Sequence, residues 1–439
     1  MKFEKKILDN KLTRQQIKRS FLKQAKIGNG KAYSIFTQNK GVDFTDEIID
    51  ISIHNHGYDP QCEGDRADYA LQFIRDLEES QKQKVLAAIK NQLAQVEITD
   101  DWDVDQLFKL AALLSKEYGS EFGEILRNRF DTCSRDELWQ FPKDSILILD
   151  GFDGMARIAR RIGKILLTDE DWWENDCNMY GVPGMKFEEV KERLSELSKT
   201  DKNIKVYLDE VNKYIDGKPW KTDKRYKTQP FEVVKEAIEN KKTVPRLAKM
   251  NLLHEELCYF ADKFLKARTQ NEKELYLNIF DDEKIRYPYS PKDLIESFSL
   301  RKNSWYNQRL IGSLANFSAS EVRELAQKAL DSDEYGYFYL DLLLNNFREG
   351  DSAKIVRKLK LTKDECDFHR AVGIIRNIYE KNINAECLEP LMLAYKTRCG
   401  LCRHWVVEVM EKAGVLKDEI RAEFQHDSAY LYDKRTENE

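Results

Sequence analysis

From Thr13 onward the chain repeats one arrangement: a polar capping residue, a run with apolar side chains three and four residues apart, then a glycine or polar stop. Thr13 caps a predicted helix with Ile17, Phe21 and Ala25 on its apolar face, and Gly28 and Gly30 stop it. Thr45 opens a short helix that runs into His54. Gly57 and Pro60 then make residues 58–64 a tight loop, and the helical period returns from Asp65 through Ala67, Ala70, Leu71 and Ile74. Ser80 and Gln83 form a predicted capping box for a helix burying Val85, Leu86, Ile89 and Leu93, and Asp103 is the expected cap of the next helix, ended by Gly119. A further helix carries Phe122, Ile125, Leu126 and Phe130. The stretch Ile146–Leu167 is apolar enough for a buried strand, but Phe152, Met155, Ile158, Ala159 and Ile162 keep a helical period, so it is read as helix.

Only 19 glycines and 9 prolines occur in 439 residues, too few for the many tight turns of a β-sandwich. The chain is therefore expected to be all-α. One core stops growing near roughly 250–300 residues, so either several domains or an elongated array is required. Breaks in the pattern at 169–185, 216–229 and 281–291 suggest an N-terminal helical region (1–168), a central region with irregular loops (169–290) and a C-terminal region (291–439). The net charge of −5 gives no whole-chain attraction for nucleic acid or an anionic membrane. The N-terminus lacks the apolar run of a secretion signal, so the mature chain is taken to start at Met1, and no run approaches the roughly 18 residues of a spanning helix. Eight cysteines, mostly scattered singly, read as small buried hydrophobes in a reducing compartment, by default the cytoplasm.

The last third carries a more specific signal. SASEVRELAQKALDS, with Val322, Arg323, Ala326, Ala329 and Leu330, resembles the second helix of a HEAT repeat, whose pattern is an aspartate, Val-Arg, then small and apolar residues. Leu388, Leu391 and Leu393, then Arg403, Val406, Val407 and Met410, closed by Gly414, resemble a whole repeat. In both places the family's aspartate is missing, its position falling at Ser318 or Ser320 and at Thr397 or Arg398. The resemblance implies an α-solenoid or superhelix of antiparallel helical pairs, as in HEAT and armadillo proteins, in which neighbours bury each other's apolar faces and leave a curved binding surface. It implies a non-enzymatic scaffold for a protein partner, with no cofactor.

Candidate sites are few. The stretch His54–Tyr69 gathers His54, His56, Asp59, Cys62 and Glu63, donors of a kind that bind zinc, although histidines at a helix C-terminus and an inward cysteine are the plainer reading. Glu63, Arg66 and Tyr69 fall on one helix face with Tyr58 and Asp59 leading in, either to recognise a partner or to latch helices together. Trp102, between acids at a helix start, is either an anchor for a partner or an inter-repeat plug; with Asp101 it also matches the composition of HEAT-like base-repair glycosylases. Cys399 and Cys402, followed by His404, form a lone CxxC that reads as packed residues at a helix start.

A nucleic-acid alternative uses two basic stretches, Arg157, Arg160, Arg161 and Lys164, and Lys218, Lys221, Lys224, Arg225 and Lys227 interleaved with Trp220 and Tyr226. Both are equally readable as solvated charge. No phosphate-binding glycine loop or nucleophile elbow occurs, and His254, His369 and His426 are isolated.

Overall fold

The computed structural model describes residues 12–169, 181–217, 224–282, 284–299 and 301–438, which form helices and connecting turns with no strand among them. No helix among the described residues is long and apolar enough to cross a membrane. Two compact units result, Met1–Pro219 with Arg398–His404 and Lys417–Glu439, and Trp220–Thr397 with Trp405–Leu416. The sequence breaks at 169–185 and 281–291 are not where the units divide.

The first unit opens with α1 (Arg14–Lys26), whose N-cap Thr13 forms a capping box with Gln16, followed by α2 (Lys31–Gln38) and α3 (Thr45–Ile53). Residues 58–64 contain one helical turn, α4 (Pro60–Glu63), started by Asp59, whose side chain accepts from Cys62 N, and by Pro60 at the first position. Then follow α5 (Ala67–Arg75), α6 (Glu79–Gln95) and α7 (Trp102–Tyr118). Two predicted caps move. Helix α6 starts at Glu79 and its N-cap is Glu78, so Ser80 lies inside it; α7 is capped by Asp101, which accepts from Asp103 N, because Asp103 is taken by His54 and Asn55. After α8 (Glu121–Thr132) and α9 (Arg135–Gln140), the apolar 146–167 stretch is helical as expected, but Gly151, at φ 57°, divides it into α10 (Lys143–Asp150) and α11 (Phe152–Leu166).

Helix α7 is the centre of this unit, packing on α5, α8 and α10 and burying Val104, Leu107, Phe108, Leu110, Ala111, Ala112 and Leu114. One aromatic cluster joins Phe21, Phe44 and Phe73, and another sets Phe141 edge-on to Phe108 and Phe130, both at 5.2 Å. The unit is completed by chain from far along the sequence. Ser428 N donates to Gly28 O at 2.8 Å, and a Cβ on Gly30 would overlap the Glu423 carbonyl oxygen. Gly28 and Gly30 therefore stop α1 and also let the backbone of 423–428 come close.

The two segments with HEAT resemblance are helical: Ser320–Asp331, with Val322, Ala326, Ala329 and Leu330 buried, and Leu388–Ala394, both in the second unit, followed by Gly400–Lys412, whose residues up to His404 count with the first unit. Arg323 finds its carboxylate in the following helix, at Asp351, with Nη2 2.9 Å from Oδ1. The segment Tyr337–Leu343 is a 3-10 helix in which all residues but Asp341 are buried. Burial pushes the half-buried Asp341 carboxyl from its usual 3.8 up to about 7. The folded chain thus keeps a proton that the unfolded chain has released. This contribution is fully present below about 3.8 and is lost as pH rises to about 7, at a slope of up to about 1.4 kcal/mol per pH unit. Urea midpoints of the second unit's transition between pH 4 and 7 should show this decline, and Asp341→Asn should flatten it.

Candidate functional site

The His54–Tyr69 stretch is built into the first unit as a brace. His54 Nδ1 lies 2.7 Å from Asp103 Oδ2 and Asn55 N donates to Asp103 Oδ1 at 2.6 Å, while Gln106 Nε2 donates to Ile51 O at 2.9 Å, so this stretch fixes the start of α7. His56 Nε2 contacts Asp50 at 3.0 Å, its proton affinity lowered by burial and partly restored by Asp50. Cys62 is exposed within its own turn. Each histidine meets a carboxylate, and His54, His56 and Cys62 are not brought to one point.

Glu63, Arg66 and Tyr69 are buried. Glu63 Oε2 accepts from Arg66 Nη2 and from Gly400 N, both at 2.9 Å, and its Oε1 accepts from Asp59 N. Arg66 Nη1 donates to Lys26 O at 2.7 Å, and Tyr69 OH donates to Asn29 O at 2.9 Å. Arg403 donates to Ile27 O at 2.8 Å and grips Asp427 through Nε and Nη2 at 2.7 and 3.1 Å. Two guanidinium groups thus cap the C-terminal carbonyls of α1, where positive charge is favoured. Of the fork between partner recognition and latch, the geometry of these three is that of a latch; half-buried Tyr58 and Asp59 stand at its edge. Cys399 and Cys402 are buried beside it, Cys402 N lying 3.4 Å from Cys399 Sγ.

Asp65, on the same stretch, leads to a different surface. It pairs with Arg435 at 2.5 Å and with Lys109 at 3.5 Å, and Lys109 continues to Asp105 at 3.0 Å and Asp144 at 3.8 Å. Burial opposes the Lys109 charge, but Asp65, Asp105 and Asp144 outweigh it and raise its proton affinity. Asp105 and Asp144 line a cleft of about 380 Å³ that also includes Asp100, Asp101, Trp102, Trp139 and Lys143. Burial raises the Asp105 carboxyl, against the pull of Lys109. Both indoles face solvent, Trp102 at 43% and Trp139 at 48% exposure, on a floor stiffened by the buried Phe141. Lys143 Nζ donates to Leu138 O at 2.7 Å, fixing the end of α9 that carries Trp139.

Of the described residues singled out in the sequence, Trp102 and the neighbouring Asp101 border this open cleft, together with Trp139. Trp139 had a signal of the same kind, an aromatic at a helix end just before Phe141-Pro142, and reading helix boundaries for exposed aromatics would have found it.

The described residues of the two basic stretches belong to different units. Arg157 pairs with Asp131 at 2.6 Å and Arg160 with Asp201 at 2.7 Å, while Arg161 donates to Cys133 O and covers the Phe130 ring. Burial works against the Asp201 carboxylate, but Arg160 and backbone donors hold its pKa low. In the second unit Lys224 is exposed, Tyr226 is half-buried and Arg225 pairs with Glu236 at 3.3 Å; Lys218, Trp220 and Lys221 lie outside the described residues. That unit also has a basic cleft of about 300 Å³ lined by Lys263, Lys266, Arg268 and Tyr276, with Glu272 turned to its own helix start. The chain matches no family model, no curated protein and no solved structure.

Proposed function

We propose that this protein is a non-enzymatic scaffold, a HEAT-like stack of helical pairs, that binds a protein partner through the Trp102–Trp139 cleft. The observation that carries this is two large aromatics left in solvent on one rigid cleft, since buried indoles dominate the energy of many protein interfaces. The repeat reading draws support from two arginines of matching position, Arg323 and Arg403, each meeting an aspartate at the start of a later helix, Asp351 and Asp427, in place of the family's missing one. The seven cysteines among the described residues are all free, which suits a reducing compartment such as the cytoplasm.

Affinity purification from native extract should recover a stoichiometric protein, and Trp102→Ala should lower its recovery at least about tenfold, the effect of losing one interface anchor. Recovery of nucleic acid alone would overturn the proposal. That second reading rests on the basic cleft at Lys263, Lys266 and Arg268. A gel shift weakening with salt and abolished by Lys263→Ala with Arg268→Ala would support it; no shift at low salt would remove it.

A further inference from the structure

Resting on the partner-binding reading of the same cleft, we infer that its occupant is a cationic side chain, arginine or lysine, from a flexible basic segment of the partner. Four carboxylates line the cleft, those of Asp100, Asp101, Asp105 and Asp144, against one lining ammonium, Lys143. Lys143 is committed to the Leu138 carbonyl, and Lys109, behind the lining, is shared among the buried Asp65, Asp105 and, more distantly at 3.8 Å, Asp144. The negative charge at the rim is thus held by Asp100, Asp101 and Asp144, all exposed. An anionic segment would meet repulsion there. A purely apolar one would cover carboxylates without pairing them, which is unfavourable.

A long cationic side chain satisfies both parts of the lining. Its methylene stem lies on indole surface, its head meets the carboxylates, and the indole faces themselves attract a cation. The volume of about 380 Å³ suits a side chain and its neighbours and not a folded domain. The site is set before binding: Asp101 is fixed by capping α7, and Trp139 is carried on a helix end held by Lys143.

Calorimetric titration of the full chain with three synthetic peptides of equal length, one rich in arginine and lysine, one rich in glutamate and one of serine and glycine, tests the inference. The basic peptide is expected to bind, more weakly at high salt. Its affinity should fall at least about tenfold in Trp102→Ala and again in Asp100→Asn with Asp144→Asn. These positions are exposed, and unchanged far-ultraviolet circular dichroism confirms folding of each variant. If the basic peptide fails to bind while partner recovery from extract still depends on Trp102, the inference is wrong and the binding cleft stands. If neither depends on Trp102, both are wrong. Equal binding of the basic peptide by the aspartate variants also overturns it.

Discussion

Asp427→Ala should destabilise the first unit by about 3–5 kcal/mol, the usual result of removing one partner of a buried ion pair. Arg403 and Asp427 are both fully buried. The aspartate receives two guanidinium hydrogen bonds and also accepts from Ala429 N at 3.1 Å. Without it, a full positive charge stays in the interior beside the carbonyls of Ile27 and Arg398. The attraction within the pair is largely offset by the cost of drying it, so replacing both residues by apolar ones, Arg403→Met with Asp427→Leu, should recover most of the loss. Urea unfolding followed by circular dichroism measures both. A single variant within about 0.5 kcal/mol of the parent, the range of ordinary surface changes, would mean that this pair is not closed off from water.

The second large effect is expected at Gly30. Its added Cβ would overlap the Glu423 carbonyl and approach Asp427 N at 3.0 Å, so backbone, which cannot rotate away, has to move. Gly30→Ala should therefore cost at least about 1–3 kcal/mol, the range for an overpacked interior, and should speed proteolysis within 417–438. Gly41, with nothing within 4 Å, is the control. Gly41→Ala should leave both measurements unchanged.

The helical class and most core positions were legible because they depend on local spacing. Val85, Ile89 and Leu93 on α6, and Met155, Ile158 and Ile162 on α11, are buried where period alone placed them. What was not legible required knowing which distant segments meet. Asp103 is a good cap by type, yet His54 and Asn55 claim it and Asp101 serves instead. Gly28 and Gly30 read as stops, and their second use depends on residues 423–428. Tyr337–Leu343 buries nearly every side chain, so it offers no amphipathic period from which its 3-10 winding follows. The candidate site was half legible: Trp102 was marked, but the cleft exists only where α7 meets the end of α9.

The return of residues 398–404 and 417–438 to the first unit also sets a schedule for biosynthesis. At roughly 5–20 residues per second, Asp427 leaves the ribosome roughly 20–70 s after Arg66. Throughout that interval the end of α1 lacks the Arg403 donor and the Gly28–Gly30 backbone lacks the chain that covers it. The nascent first unit is thus an unfinished surface while the whole second unit is being made, a state suited to chaperone binding, and slowing elongation should lengthen it.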